Sequence, residues 1–254
     1  MTTNYNGNEL LICIASREME DNTSAFIGTG IPMLAAALAK RMHAPNLIPL
    51  FEFGGCGGTL EHLPLGVGDP KTFYKAFAAL GICDLMETAQ RGLVDYGFLG
   101  GAQIDMYGNL NSTVIGPQAT PKVRLPGSGG ANDIGSSCWK TIAIMQHTAR
   151  RFMPKVDFLT TAGFLSGPGA REEAGLAKGA GPYRVVSNLG LMGYDEESCR
   201  MKLLATNPGV TVEQVLENTG FEMLVADTVG QNAAPTEKEL TLLRNEIDPT
   251  GLYI

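Results

Sequence analysis

One carboxylate stands out by its surroundings. In Phe51-Glu52-Phe53-Gly54, Glu52 lies at the apolar end of a run of strand length and is followed by Gly54-Gly55-Cys56-Gly57-Gly58. An ionised acid is costly to bury there unless it is hydrogen-bonded, protonated or used in catalysis. Two roles therefore compete. In one, Glu52 caps a neighbouring helix or pairs with an arginine; in the other it is a catalyst, and the glycines let a ligand approach closely. Cys56, four positions on, is the only cysteine placed as a rival nucleophile.

Chemistry at a carbonyl builds negative charge on oxygen, and fixed donors must face that oxygen. Gly127-Ser128-Gly129-Gly130-Ala131-Asn132 can expose successive backbone N–H groups around Gly129 and Gly130, or can be an ordinary flexible turn. Gln103 and Asn111 offer side-chain amides for the same purpose, or else serve turns and the core. Gly28 and Gly30 precede a helix whose first N–H groups point outward. Met33 stands where a Gly-x-Gly-x-x-Gly dinucleotide fingerprint needs its third glycine. His43, His62 and His147 show no ligand spacing and read as surface or capping residues, so no metal site is expected.

The elements that must position these groups follow from periodicity and punctuation. An amphipathic helix is predicted over 8–19, a strand over 24–28, a helix over 33–43 with Pro32 in its first turn, and a strand over 47–53. This strand–helix–strand unit implies parallel neighbours with ligands at the carboxyl ends of the strands, where Glu52 stands. A helix over 71–91 and strands over 96–99, 141–145 and 158–161 come next. Short antiparallel strands over 184–187, 191–194 and 201–204 lead to helices over 212–217 and 237–246. The expected fold is α/β: a mostly parallel open sheet flanked by helices, with a short antiparallel extension. No repeat or linker interrupts the sequence, so residues 1–254 read as a single domain.

Composition narrows the classes of function. A net charge of -7 argues against a nucleic-acid groove, which needs a positive field. A charged fraction of 18% is low for an independent monomer and suggests that another chain covers part of the surface. Five widely spaced cysteines form no Cys-x-x-Cys pair, so reduced thiols are expected rather than a disulfide framework or zinc site. The apolar run 10–15 is too short for a signal sequence or membrane span, so a cytoplasmic protein is expected.

Further stretches carry a resemblance. They are Gly28-Thr29-Gly30 with Pro32, 35–41 leading to Ala44-Pro45, 100–105 with Tyr107-Gly108-Asn109, and Asn111-Ser112-Thr113. In the second half they are 127–132, Met145-Gln146-His147 with Arg150-Arg151-Phe152-Met153, Leu216-Glu217-Asn218-Thr219-Gly220-Phe221 and Ile247-Asp248-Pro249. Across nearly its full length the chain resembles the family I CoA-transferases, and among them the smaller, beta subunits of the glutaconate type. The resemblance implies that Glu52, in a Glu-x-Gly pattern, is the catalytic glutamate of a ping-pong exchange through a glutamyl-CoA thioester. It also implies that a glycine loop of the 127–132 kind lies beside that glutamate. A companion alpha subunit of the same fold is implied, with the active site between the chains of a hetero-oligomer. Coenzyme A enters only as a substrate moiety, and no tightly bound cofactor is expected.

The run after Glu52 is richer in glycine, and bulkier at Phe53, than the glutaconate type leads one to expect, which leaves the exchanged acids open. A CoA-ester hydrolase, ring-opening lyase or cofactor-free acyl-CoA decarboxylase on the same fold is the alternative. A non-catalytic ligand-binding subunit is a further one.

Overall fold

The computed structural model describes residues 4–254. The chain divides into two compact units, one reaching to Phe98 and resuming over Ala233–Ile254, the other formed by Leu99–Asn232. The fold class is the expected one: helices flank a mostly parallel sheet that antiparallel strands extend.

In the first unit, α1 (Gly7–Arg17) opens with a reciprocal cap: the Asn6 side chain accepts the Glu9 N–H while the Glu9 carboxylate accepts the Asn6 N–H. Strand β1 (Ser24–Phe26) leads into α2 (Ile31–Met42), which starts two residues earlier than predicted because Pro32 needs no amide partner in the first turn. Every residue from Met33 to Ala39 is buried. Strand β2 (Ile48–Leu50) then pairs parallel with β1, setting Phe26 opposite Leu50. It is shorter than the predicted 47–53 because the chain turns back at Phe51–Gly54 into β3 (Gly55–Cys56).

The predicted helix over 71–91 is not formed as one element. The Asp69 carboxylate instead takes the Lys71 N–H and starts a single 3-10 turn, Pro70–Phe73. Lys75 then adopts φ +54°, which no right-handed helix accommodates. After β4 (Ala78–Ala79), Gly81 caps α3 (Ile82–Gln90) with its N–H held by Asp84. Strand β5 (Tyr96–Leu99) completes the parallel trio on the other side of β1.

The carboxyl-terminal helix Glu237–Leu242 and the wide turn Leu243–Ile247 return to α1. Arg244 forks onto Glu9 at 2.6 and 2.9 Å, and Arg17 onto Glu239 at 3.0 and 2.7 Å. Burial pushes the Glu9 carboxyl up, but the bonds from Arg244 and the Asn6 N–H outweigh it and hold the group below its ordinary value.

The second unit begins with two small hairpins, β6 (Gln103–Ile104) with β7 (Leu110–Asn111) and β8 (Val114–Ile115) with β9 (Val123–Arg124), followed by α4 (Ala131–Ser137). Strand β10 (Lys140–Met145), helix α5 (Ala170–Glu173) and β11 (Gly181–Ser187) come next, the two strands pairing in parallel. Antiparallel strands β12 (Gly190–Tyr194) and β13 (Met201–Thr206) follow as expected, then α6 (Val212–Glu217). Strand β14 (Leu224–Gln231), parallel to β13, has no counterpart among the predicted elements; with Asp227, Thr228, Gly230 and Gln231 it is polar and half exposed.

The predicted strand over 158–161 touches β7 only through a bridge at Thr161. Thr160 and Thr161 both give their N–H groups to the one Leu110 carbonyl, and two residues on Gly163 crosses so close to Gly108 that no side chain fits.

His147 is not the surface or capping residue expected; it is 1% exposed and stacked on Phe152 at 3.6 Å. Thr219 gives its own proton to the Val215 carbonyl at 2.8 Å, so it accepts one from His147 Nε2 at 2.9 Å; Nδ1 faces Ser187 Oγ at 3.2 Å. Burial pushes its pKa down to about 4, from 6.5 when unfolded. Below pH 6.5 the unfolded chain therefore binds a proton that the folded chain refuses, and stability falls until the pH passes the folded value. Acidification from pH 7.5 to 5 is expected to lower the unfolding free energy by about 2 kcal/mol through this residue. Urea unfolding at both pH values checks this: the loss should shrink in His147→Asn, and an unchanged slope overturns the assignment.

Candidate active site

Strands β1 and β2 run side by side, and the candidate groups of the first unit emerge from their carboxyl ends. Ile27 donates to the Leu50 carbonyl at 2.9 Å, just before Gly28-Thr29-Gly30 on one strand and Phe51-Glu52-Phe53-Gly54 on the other. Gly28 and Gly30 are half-buried, Gly30 has φ +87°, and no side chain caps the start of α2. A Cβ at either glycine would meet nothing within 4 Å, so this helix end is open.

Glu52 occupies the tip of a tight hairpin. The Gly54 N–H donates to the Phe51 carbonyl at 2.7 Å and the Phe51 N–H to the Gly55 carbonyl at 2.9 Å, which makes Glu52 and Phe53 the two central residues of the turn. Phe51 is fully buried and anchors the turn, Phe53 is 54% exposed, and Glu52 is half-buried. Among the described residues no hydrogen bond or ion pair engages the Glu52 carboxylate, so it neither caps a helix nor pairs with an arginine.

The glycines after it are explained by the protein itself. A Cβ on Gly54 would overlap the Leu80 carbonyl, one on Gly57 the Phe77 ring, and ones on Gly55 and Gly58 would come within 2.5 and 2.9 Å of the Thr72 carbonyl. The segment 72–80 thus occupies the space that the sequence suggested for a ligand. Its backbone is pinned there by Leu80 N–H to the Gly54 carbonyl at 3.0 Å and Phe77 N–H to the Cys56 carbonyl at 3.1 Å. Cys56 is buried in β3, and burial pushes its thiol up, keeping it protonated and a poor nucleophile.

Gln103, Asn111, Gly129 and Gly130 belong to the second unit. Gln103 and Asn111 come together, and both are buried. Asn111 Nδ2 donates to Gln103 Oε1 at 2.7 Å and to the Val114 carbonyl at 2.6 Å, while its Oδ1 accepts from Thr113 and Val114. Gln103 Nε2 donates to Asp157 at 2.9 Å and Oε1 accepts the Asp157 N–H at 2.9 Å. These amides are committed to joining the β6–β7 hairpin to its neighbours.

Gly129 has φ +49°, and Gly130 begins α4. The N–H groups of Ser128, Gly129 and Gly130 have no acceptor among the described residues. The loop opens on a cavity of about 420 Å³ whose other wall includes Thr113 and Thr160, their hydroxyls 2.7 Å apart. These threonines were not singled out as site residues by the sequence, where Asn111-Ser112-Thr113 is only a matching stretch.

The family model for coenzyme A transferase matches residues 9–218. The chain belongs to the coenzyme A transferase family. It is 38% identical to a subunit of glutaconate CoA-transferase from Acidaminococcus fermentans, over 99% of this chain and 96% of that one. It is also 38% identical to a subunit of 3-oxoadipate CoA-transferase from Pseudomonas knackmussii, over 94% and 92%. A crystal structure of glutaconate coenzyme A-transferase from Acidaminococcus fermentans superimposes with a TM-score of 0.95 at 37% identity, covering 99% of this chain and 98% of that one. The expected resemblance thus holds over nearly the whole chain.

If the glycine run exists to admit segment 72–80, Gly54→Ala should cost at least about 2 kcal/mol of unfolding free energy, combining a left-handed φ with a backbone clash. Gly28→Ala, which meets open space, should stay within about 0.5 kcal/mol. Equal unfolding midpoints for the two variants would contradict this account of the run.

Proposed function

We propose that this chain is the glutamate-bearing subunit of an acyl-CoA:carboxylate CoA-transferase, with Glu52 as nucleophile. The observation that carries the reading is a carboxylate displayed on a rigid turn at the carboxyl ends of two parallel strands, with no partner among the described residues. Membership of the coenzyme A transferase family supports it.

The Glu52 carboxylate attacks the thioester carbonyl of the donor and expels CoA thiolate, leaving a mixed anhydride. The thiolate then attacks the glutamyl carbonyl and releases the donor acid as its carboxylate. The glutamyl-CoA thioester left behind keeps the activation while the acids exchange. An acceptor carboxylate reverses both steps, forming its own CoA thioester and restoring Glu52. A carboxylate suits this work because its acyl anhydride is at least as reactive as a thioester, whereas a serine ester would dissipate the activation. Negative charge develops on a carbonyl oxygen at each addition, and the free N–H groups at Ser128, Gly129 and Gly130 are the donors we assign to it. Gly28 and Gly30 leave room for substrate at the uncapped start of α2.

The active complex is proposed to be a heteromer with a companion alpha subunit of the same fold. Both relatives are named as single subunits of their enzymes, and the exposed rings of Phe53 and Phe77 give that companion an apolar surface to cover. Glutaconate and 3-oxoadipate head relatives of equal identity, and both are short dicarboxylates, the substrate class proposed here. No helix of the described residues is long and apolar enough to cross a membrane, and action in the cytoplasm is proposed.

Replacing the nucleophile should remove transfer without removing the complex. In the assembled pair, Glu52→Gln is expected to lower kcat by at least about a thousandfold, with the elution volume unchanged. Incubating the unmodified pair with acyl-CoA and no acceptor should leave a CoA-sized mass on the peptide that contains Glu52. Undiminished exchange by Glu52→Gln sinks the proposal.

A further inference from the structure

A second feature of the Leu99–Asn232 unit lies outside the groups assigned to transfer. A cavity of about 690 Å³, within the range of small-molecule sites, is walled by Trp139, Lys140, Arg171, Lys178, Tyr183 and Arg184 among others. Arg171 is the anomaly in it. Its side chain is buried, and its guanidinium donates to the carbonyls of Ala162, Gly163, Gly135 and Ser136 at 2.8–3.4 Å. Among the described residues no carboxylate forms an ion pair with it and no acceptor meets its Nε. That nitrogen lies beside Gly181, another residue of the cavity wall, where a Cβ would stand 3.1 Å away. A guanidinium this buried, held by carbonyl dipoles with Glu172 as the carboxylate that acts on it from nearby, is costly, and a bound anion would offset its charge further.

The surrounding charge points the same way. The chain carries a net -7, yet four cations line this cavity against three carboxylates, those of Glu172, Asp195 and Glu196. Asp195 is already committed to Lys202 at 2.8 Å and to the Ser198 hydroxyl at 2.8 Å. Arg184 lies 3.8 Å and Lys140 5.0 Å from the centroid of the Tyr183 ring, which gathers two cations around one aromatic ring. Trp139 is 41% exposed on the wall and offers a flat apolar surface. Guanidinium and ammonium groups with an aromatic plane suit a phosphate ester on a planar body.

We propose that this cavity binds the phosphate-bearing part of a nucleotide-like small molecule, with Arg171 and Lys178 facing its negative charge and Trp139 against its planar part. The inference does not depend on Glu52. Two sources share this chemistry: the phosphorylated nucleotide end of coenzyme A, and a free nucleotide.

Trp139 is the only tryptophan of the chain, so its emission reports this cavity alone. The full chain should show a saturable change in that emission on titration with coenzyme A or ADP, and none with pantetheine, which lacks phosphate. Lys178 is exposed and can be reversed without disturbing the core, so Lys178→Glu should fold normally and bind about tenfold more weakly. Saturation by coenzyme A at clearly lower concentration than by ADP, which lacks the 3′-phosphate and the pantetheine arm, assigns the site to the substrate's nucleotide end; saturation by ADP at equal or lower concentration assigns it to free nucleotides. No saturable change with either probe, an equal response to pantetheine, or undiminished binding by Lys178→Glu overturns the proposal.

Discussion

The close passage of one stretch of backbone over another governs the geometry around Glu52. Segment 72–80 lies so near the run Gly54-Gly55-Cys56-Gly57-Gly58 that at four positions no side chain larger than hydrogen can be placed without the structure shifting. Hydrogen bonds from Phe77 and Leu80 lock the approach, and the turn that presents Glu52 inherits its rigidity. The nucleophilic role proposed for Glu52 requires this kind of support, since loss of alignment by about an ångström is expensive in rate. The glycines therefore serve the site indirectly. They make room for protein, and the protein fixes the carboxylate.

Much of the framework was legible because strong local signals and tertiary demands agree. The helix after Gly30, the flanking strands and the capped helices near Thr211 and Thr236 carry periodic apolar positions and end signals together. The helix expected over 71–91 shows the opposite case. Its composition favours helix, but Asp69 and the left-handed Lys75 divert the chain to a 3-10 turn and a short strand that must reach the glycine run. Strand β14 was illegible because an edge strand is paired on one side only and needs no clean alternation of apolar residues.

The site was legible in part, and unevenly. The position of Glu52 at a strand's carboxyl end could be read from the order of elements, whereas the absence of a local partner could not, since it depends on residues remote in sequence. For Gln103 and Asn111 the sequence left donor and structural roles open, because it shows a side chain's capacity to donate and not what already accepts from it. Asp105 makes the same point: within Ile104-Asp105-Met106-Tyr107-Gly108-Asn109 its buried carboxylate collects the N–H groups of Tyr107 and Asn109 and the Asn109 amide, which is turn chemistry. Burial raises that carboxyl above its ordinary value while these bonds oppose the shift.

The return of residues 233–254 to α1 carries a consequence for the order in which the molecule can be made. Glu9 and Glu239 are almost fully buried, and their arginine partners stand more than 200 positions away along the chain. During synthesis the ribosome releases Glu9 long before Arg244, which follows 235 positions later. The unit formed by Leu99–Asn232 is continuous in sequence and can settle while the ribosome is still working. The unit that bears Glu52 must wait for residues 233–254, with the apolar positions of α1 in need of shelter meanwhile.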